Sequence, residues 1–161
     1  MKPIFILLAG LSVTACMPAS YRIARSLEGK YTLGEPGPGW TRVDAGGGDY
    51  AWHHEGMGCT IYSDSNCGPR YRETRVEDLA TEMVVGIRGL TQDFEEYQTI
   101  AGREGILRVH TGRLDGVPVR VAIGVTNRDA CNYDFVLIAP LGQLDDAMPA
   151  WHNAVDGFRA R

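Results

Sequence analysis

The side chains best equipped for chemistry in this 161-residue chain are four cysteines and a pair of adjacent histidines. Thiols can be acylated, oxidised or metallated. Cys16 closes the run Val13-Thr14-Ala15-Cys16, while Cys59, Cys67 and Cys131 lie far downstream. No C-x-x-C or C-x-C spacing occurs, so a zinc site has little support. The three downstream thiols allow one bridge with one left over. Cys67–Cys131 would close a long loop, Cys59–Cys67 a local one, and a third arrangement leaves every thiol free and buried. His53-His54-Glu55 with Cys59 has the residue types of a metal site. Neighbouring strand residues point to opposite faces, however, so the two imidazoles reach one ion only across a bulge. His110 and His152 stand alone. Ser63-Asp64-Ser65-Asn66 offers hydroxyls and a carboxylate but lacks the Gly-x-Ser-x-Gly elbow, and a polar turn is expected there. Asp78, Glu82, Asp93, Glu95 and Glu96 lack the alternating spacing of a calcium loop and read as a solvated face. No catalytic residue, metal or cofactor is expected.

Binding is the better prospect. Arg70, Arg72 and Arg75 surround Tyr71 in one segment, a local basic cluster suited to a carboxylate or an anionic head group. Trp40, Tyr50, Trp52, Tyr62 and Tyr71 concentrate aromatic surface in the first half, either as core or as the lining of a groove for peptide, glycan or lipid. Arg70, Tyr71, Arg72 and Trp52 are the candidate binding residues.

Something must place these groups in a compartment. Lys2 is followed by the apolar stretch from Ile4 to Leu11, too short to span a bilayer. Val13-Thr14-Ala15-Cys16 comes next and resembles the lipobox of bacterial lipoproteins. The resemblance implies a signal peptide over residues 1–15, cleavage before Cys16, and acyl chains on its sulfur and new amine. Several chains anchor a protein stably where one gives marginal binding. Residue 17 is Met rather than Asp, which resembles outer-membrane sorting. An exported domain can hold a disulfide.

The net charge of −4, deepened by one when Lys2 leaves with the leader, argues against nucleic acid, whose phosphates demand a basic footprint. It argues equally against a polybasic membrane patch. No later apolar run approaches the length of a transmembrane helix. The remaining length suits one domain.

Residues 16–39 read as a tether ending in the strap Gly34-Glu35-Pro36-Gly37-Pro38-Gly39, and residues 40–161 as the folded domain. Strands are expected at Trp40–Val43, Tyr50–His54 and Cys59–Ser63. Thr74-Arg75-Val76-Glu77 fits a capping box, opening a helix to about Arg88 whose stripe is Val76, Leu79, Met83, Ile87 and Leu90. Strands follow at Glu95–Ala101 and Gly105–Arg113, then a hairpin at Asp115-Gly116. From Val117 to Thr126 the valines and Ile123 alternate with Pro118, Arg120, Ala122, Gly124 and Thr126. Cys131 to Ala139 is apolar on both faces, the pattern of a covered central strand. Leu144, Met148, Trp151, Val155 and Phe158 make the stripe of a closing helix, with Pro149 expected in its first turn. The fold class is α+β: an antiparallel sheet of about six to seven strands flanked by two main helices.

Trp40 after its strap, the helix from Arg75, the Asp115-Gly116 hairpin, Cys131-Asn132-Tyr133-Asp134-Phe135 and the terminal Gly157-Phe158-Arg159 together resemble PsbP-like domains. The resemblance implies a layered sandwich, pairing of Cys67 with Cys131, and an accessory or binding role on membranes and complexes rather than enzymatic activity. The expected partners are the membrane, through lipid on Cys16, and a protein of the cell envelope. The alternatives are a carrier of lipid or small ligand using the aromatic region, and a hydrolase or metal enzyme.

Overall fold

The computed structural model describes residues 31–71, 74–84 and 86–160. Val13–Cys16 and Arg72 lie outside the described residues.

The elements are β1 (Tyr31–Thr32), β2 (Thr41–Arg42), β3 (Tyr50–His54), β4 (Cys59–Cys67), a 3₁₀ turn at Pro69–Tyr71, α1 (Val76–Glu82), β5 (Arg88–Ile100), β6 (Arg103–Leu114), β7 (Val117–Arg128), β8 (Cys131–Pro140), α2 (Leu144–Asp156) and β9 (Arg159–Ala160). Strands β2 to β8 form one seven-stranded antiparallel sheet in the order β2-β3-β4-β8-β7-β6-β5. The strand that is apolar on both faces, β8, is the middle of the seven. It has to be, because only a central strand is covered above and below.

Each face of the sheet buries its own core. Under α2 lie Trp52, Ile61, Phe135 and Leu137, with Trp151 from the helix itself and Phe158 just after it. Under α1 lie Ile106, Val121, Ile123 and Val136, with Val76 and Leu79 from the helix itself. The alternation of β7 feeds both: its valines face α1, while Ala122 and Gly124 face α2. Gly124 is small because the Trp151 ring lies directly over it; a Cβ there would sit 2.6 Å from Cζ2. The Trp151 indole N–H donates to the Phe135 carbonyl, which satisfies its polar end inside the core.

Several expectations need correction. The domain begins earlier than Trp40. Tyr31 is fully buried, β1 pairs with β9, and the Gly34 N–H donates to the Ala154 carbonyl. Asn153 Nδ2 donates to the Pro36 carbonyl, so the strap is laid along α2 as part of the domain. Proline and glycine forbid ladder pairing but not packing against a helix end.

The helix opening at Arg75 ends at Glu82, not Arg88. Gly86 and Gly89 take positive φ and turn the chain into β5, which therefore starts at Arg88 rather than Glu95. Leu90 leaves the helical stripe and lies on a strand. The capping box does not form either. Arg75 is the N-cap and has no side-chain cap bond; Thr74 donates to the Arg70 carbonyl, and the Glu77 carboxylate accepts from Arg75 and Tyr97. A charged guanidinium and a phenol hydroxyl take the carboxylate in place of the backbone N–H the motif would satisfy.

Strand β4 runs through Ser63-Asp64-Ser65-Asn66, replacing the expected turn, since β8 offers it a full ladder partner. Pro149 sits inside α2, beyond its first turn. The carbonyl it leaves unbonded, that of Asp145, belongs to an exposed residue which water can serve.

Candidate functional site

Of the expected binding residues, Arg70 and Tyr71 touch each other, whereas Trp52 lies on the opposite face of the sheet. Trp52 is buried in the α2-side core, stacked with Tyr50. Tyr71 is buried in the α1-side core, on the other face of the sheet. Arg70 is exposed and donates to the Tyr71 hydroxyl, its guanidinium lying over that ring. Arg75 is exposed and paired with Glu77. Tyr31, Tyr133, Phe135 and Phe158 extend the aromatic set through edge and tilted contacts inside the core. The aromatic concentration is packing, not the lining of a groove.

The cysteines and histidines divide in the same way. Cys67 and Cys131 form a disulfide across the last register pair of β4 and β8, and Cys59 is a buried free thiol. His53 bonds Thr60 through Nδ1, while His54 meets the Trp40 ring edge-on and accepts from the Met57 N–H. The two rings diverge onto opposite faces of β3, as strand geometry requires.

Two polar arrangements, neither signalled by a motif, stand out on the α1 face. The first is a carboxylate pair. Asp64 and Asp134 are direct cross-strand partners in the middle of the sheet. Burial pushes the Asp134 carboxyl up to about 7, against the hydrogen bond donated by Asn132, and Asp64 is raised chiefly by burial as well. Burial and the neighbouring Asp64, Asp134 and Asp49 charges push the Tyr62 phenol up to about 12.

The second is a cleft of about 270 Å³ between α1 and the β5–β6 hairpin. Thr81 and Val84 overhang it, Leu90 and Gln92 form its rim, and Arg108 and His110 lie at its base. Arg108 clamps the helix to the sheet. Its Nε donates to Glu95 at 2.6 Å, and its Nη1 donates to the Glu77 carbonyl and to the Thr81 hydroxyl at 2.8 Å. The Tyr97 hydroxyl adds a second bridge to Glu77. The Arg75 guanidinium and the Tyr97 hydroxyl, both donating to it, hold the Glu77 carboxylate down to about 2. His110 is 4% exposed, yet neither ring nitrogen has a hydrogen-bond partner among the described residues. Burial and the Arg108 charge depress its basicity, which favours the neutral imidazole.

These groups were hidden in the sequence for a physical reason. Asp134 stands inside the apolar run Tyr133-Asp134-Phe135-Val136-Leu137, and a carboxylate in such a run is the signal that could have found it. His110 carries no comparable signal, because its environment comes from α1, which is distant along the chain.

Beside the cleft runs β5, the sheet edge. All residues from Arg88 to Tyr97 are exposed, including Leu90, Phe94 and Tyr97, which are 38%, 46% and 53% accessible. Register shifts between Arg88 and Thr91 and between Gln92 and Phe94 break its ladder with β6.

No family model matches the chain, and no curated protein matches it in sequence. Solved structures do. The chain is similar to the cyanobacterial PsbP protein CyanoP of Synechocystis sp. PCC 6803, at 12% identity and TM-score 0.57, over 77% of this chain and 83% of that one. It is similar to LpqN, involved in cell envelope biogenesis of Mycobacterium tuberculosis, at 12% identity and TM-score 0.57, over 78% and 80%. A Pseudomonas aeruginosa protein of unknown function, described as a putative regulator, matches at 14% identity and TM-score 0.53, over 76% and 81%. At these identities the likeness speaks for the fold alone: the described residues share the α+β architecture of these structures.

Proposed function

We propose that this protein is a lipid-anchored lipoprotein of the bacterial cell envelope, acting without catalysis as an accessory or binding subunit of an envelope complex. The observation that carries the binding role is β5: a 13-residue edge strand whose outer side pairs with no other strand among the described residues, with Phe94 and Tyr97 exposed on it. Soluble domains usually blunt such an edge with short length, cover or closure. Here its protection comes from the charges of Asp93, Glu95 and Glu96 and from the two register shifts, and the strand stays long and exposed. Strand addition to an edge of this kind joins backbone hydrogen bonds to pockets for alternate side chains. The lipobox-like Val13-Thr14-Ala15-Cys16 supports an anchor at Cys16, and Met17 supports the outer membrane, facing the periplasm. The domain is acidic, which leaves membrane affinity to the acyl chains.

The test uses the tethered protein in its own membranes. A photo-crosslinking residue at Phe94 or Tyr97 should give one discrete adduct, and the same probe at exposed His152 on α2 should not. Equal labelling from β5 and His152 would remove the binding role of the edge. Cys16→Ser should release the protein from the bilayer fraction; retention there would remove the anchor.

A further inference from the structure

We infer that the cleft over His110 is a binding site for a small uncharged molecule that carries a hydroxyl beside an apolar group. The base of the cleft holds an imidazole that is nine-tenths buried and has both nitrogens unpartnered among the described residues. A buried polar group without a partner costs free energy, so natural proteins keep few of them without a use. A neutral imidazole presents one N–H and one lone pair. A hydroxyl both donates and accepts, and so satisfies His110 in either tautomer.

The walls set the rest of the ligand. Val84 and Leu90 supply apolar surface, and Thr81 and Gln92 stand at the polar side of the opening. Charge is disfavoured in both senses. The Arg108 guanidinium of the lining is paired with Glu95, so an incoming anion finds no free guanidinium there and an incoming cation finds no carboxylate in the lining. An anion would approach Glu95 and Asp93, both of which act on His110 through their charge. The space of about 270 Å³ lies just under the roughly 300–1,000 Å³ of pockets that enclose drug-sized molecules, so the occupant is smaller than those. The site is separate from the outer edge of β5, so binding there does not require the edge to be occupied.

The experiment uses the whole chain with Cys16→Ser, so that no detergent competes with the probe, and follows the imidazole nitrogen resonances of His110 by NMR. Phenol, toluene and benzoate are the probes. Phenol should shift the His110 signals saturably and bind about tenfold more tightly than toluene, the worth of one net hydrogen bond. Leu90→Trp, at a part-exposed rim position, should block the effect on His110 while leaving the fold intact. His110→Phe should abolish the preference for phenol over toluene; if that variant does not fold, Leu90→Trp decides alone. Absence of a saturable shift overturns the site. Equal affinity for toluene overturns the role of His110, tighter binding of benzoate overturns the uncharged class, and a phenol shift that survives Leu90→Trp places binding elsewhere.

Discussion

Asp64 and Asp134 face each other across β4 and β8, two carboxylates in direct register in the middle of the sheet. Burial makes charge on Asp134 costly, and the facing Asp64 carboxylate adds to that cost. The protein accommodates them by keeping Asp134 protonated until the pH approaches about 7.

Stability therefore depends on pH with a defined sign. An unfolded Asp titrates near 3.9, so between about pH 4 and pH 7 the folded state holds a proton that the unfolded state has lost. Stability from this group is complete below about pH 4 and is lost as pH rises, at about 1.4 kcal/mol per unit. Asp134→Asn should flatten that slope and raise stability at pH 8. Urea unfolding midpoints at pH 5 and pH 8 measure it; an unchanged slope would show that another group titrates there.

The bridge between Cys67 and Cys131 spans 64 residues of sequence. Cross-linking so long a loop restricts the unfolded chain, and its loss should cost about 2–4 kcal/mol. Reduction, or the Cys67→Ser and Cys131→Ser pair, should lower the thermal midpoint, whereas Cys59→Ala should leave the bridge intact on a non-reducing gel. A reduced protein that melts with the oxidised one would contradict the loop argument.

Gly124 and Trp151 form a size-matched pair beneath α2. Gly124→Val should cost about 1–3 kcal/mol by overpacking, and Trp151→Ala about 3–5 kcal/mol by leaving a cavity. The double variant should cost less than the sum, because the added methyls fill part of the space the indole vacates. Strict additivity in denaturant melts would mean the two do not share that space.

Gly34 lies against the backbone of Asn153 and Gly157 with no room for a Cβ. Gly34→Val should lift the strap from α2, costing about 1–3 kcal/mol and exposing residues 34–40 to protease. A variant that melts like the parent and resists cleavage there would show that the strap contributes nothing to the domain.

Much of the architecture was legible in the residues themselves, because periodicity reports burial. The two-faced apolar run from Cys131 read as a central strand, and the alternating valines of β7 read as a strand with one apolar face. The Asp115-Gly116 pair marked its hairpin, with Asp115 and Gly116 both at positive φ. Local chemistry misled where a long-range partner competed for the same groups. Glu77 was drawn from the capping box by Arg75 and Tyr97, and Ser63 to Asn66 were drawn from a turn into a ladder by β8.

The sequence by itself determined the α+β class, the central strand and the stripe of α2, since each is written in short-range hydrophobic spacing. Only the tertiary structure decided which polar residues share an environment. Trp52 and Tyr71 read as one binding patch, yet a sheet separates them. His110 read as isolated, yet α1 closes over it and leaves both its nitrogens without a partner among the described residues. Burial of a single polar group depends on elements far apart in the chain, and no local spacing encodes that.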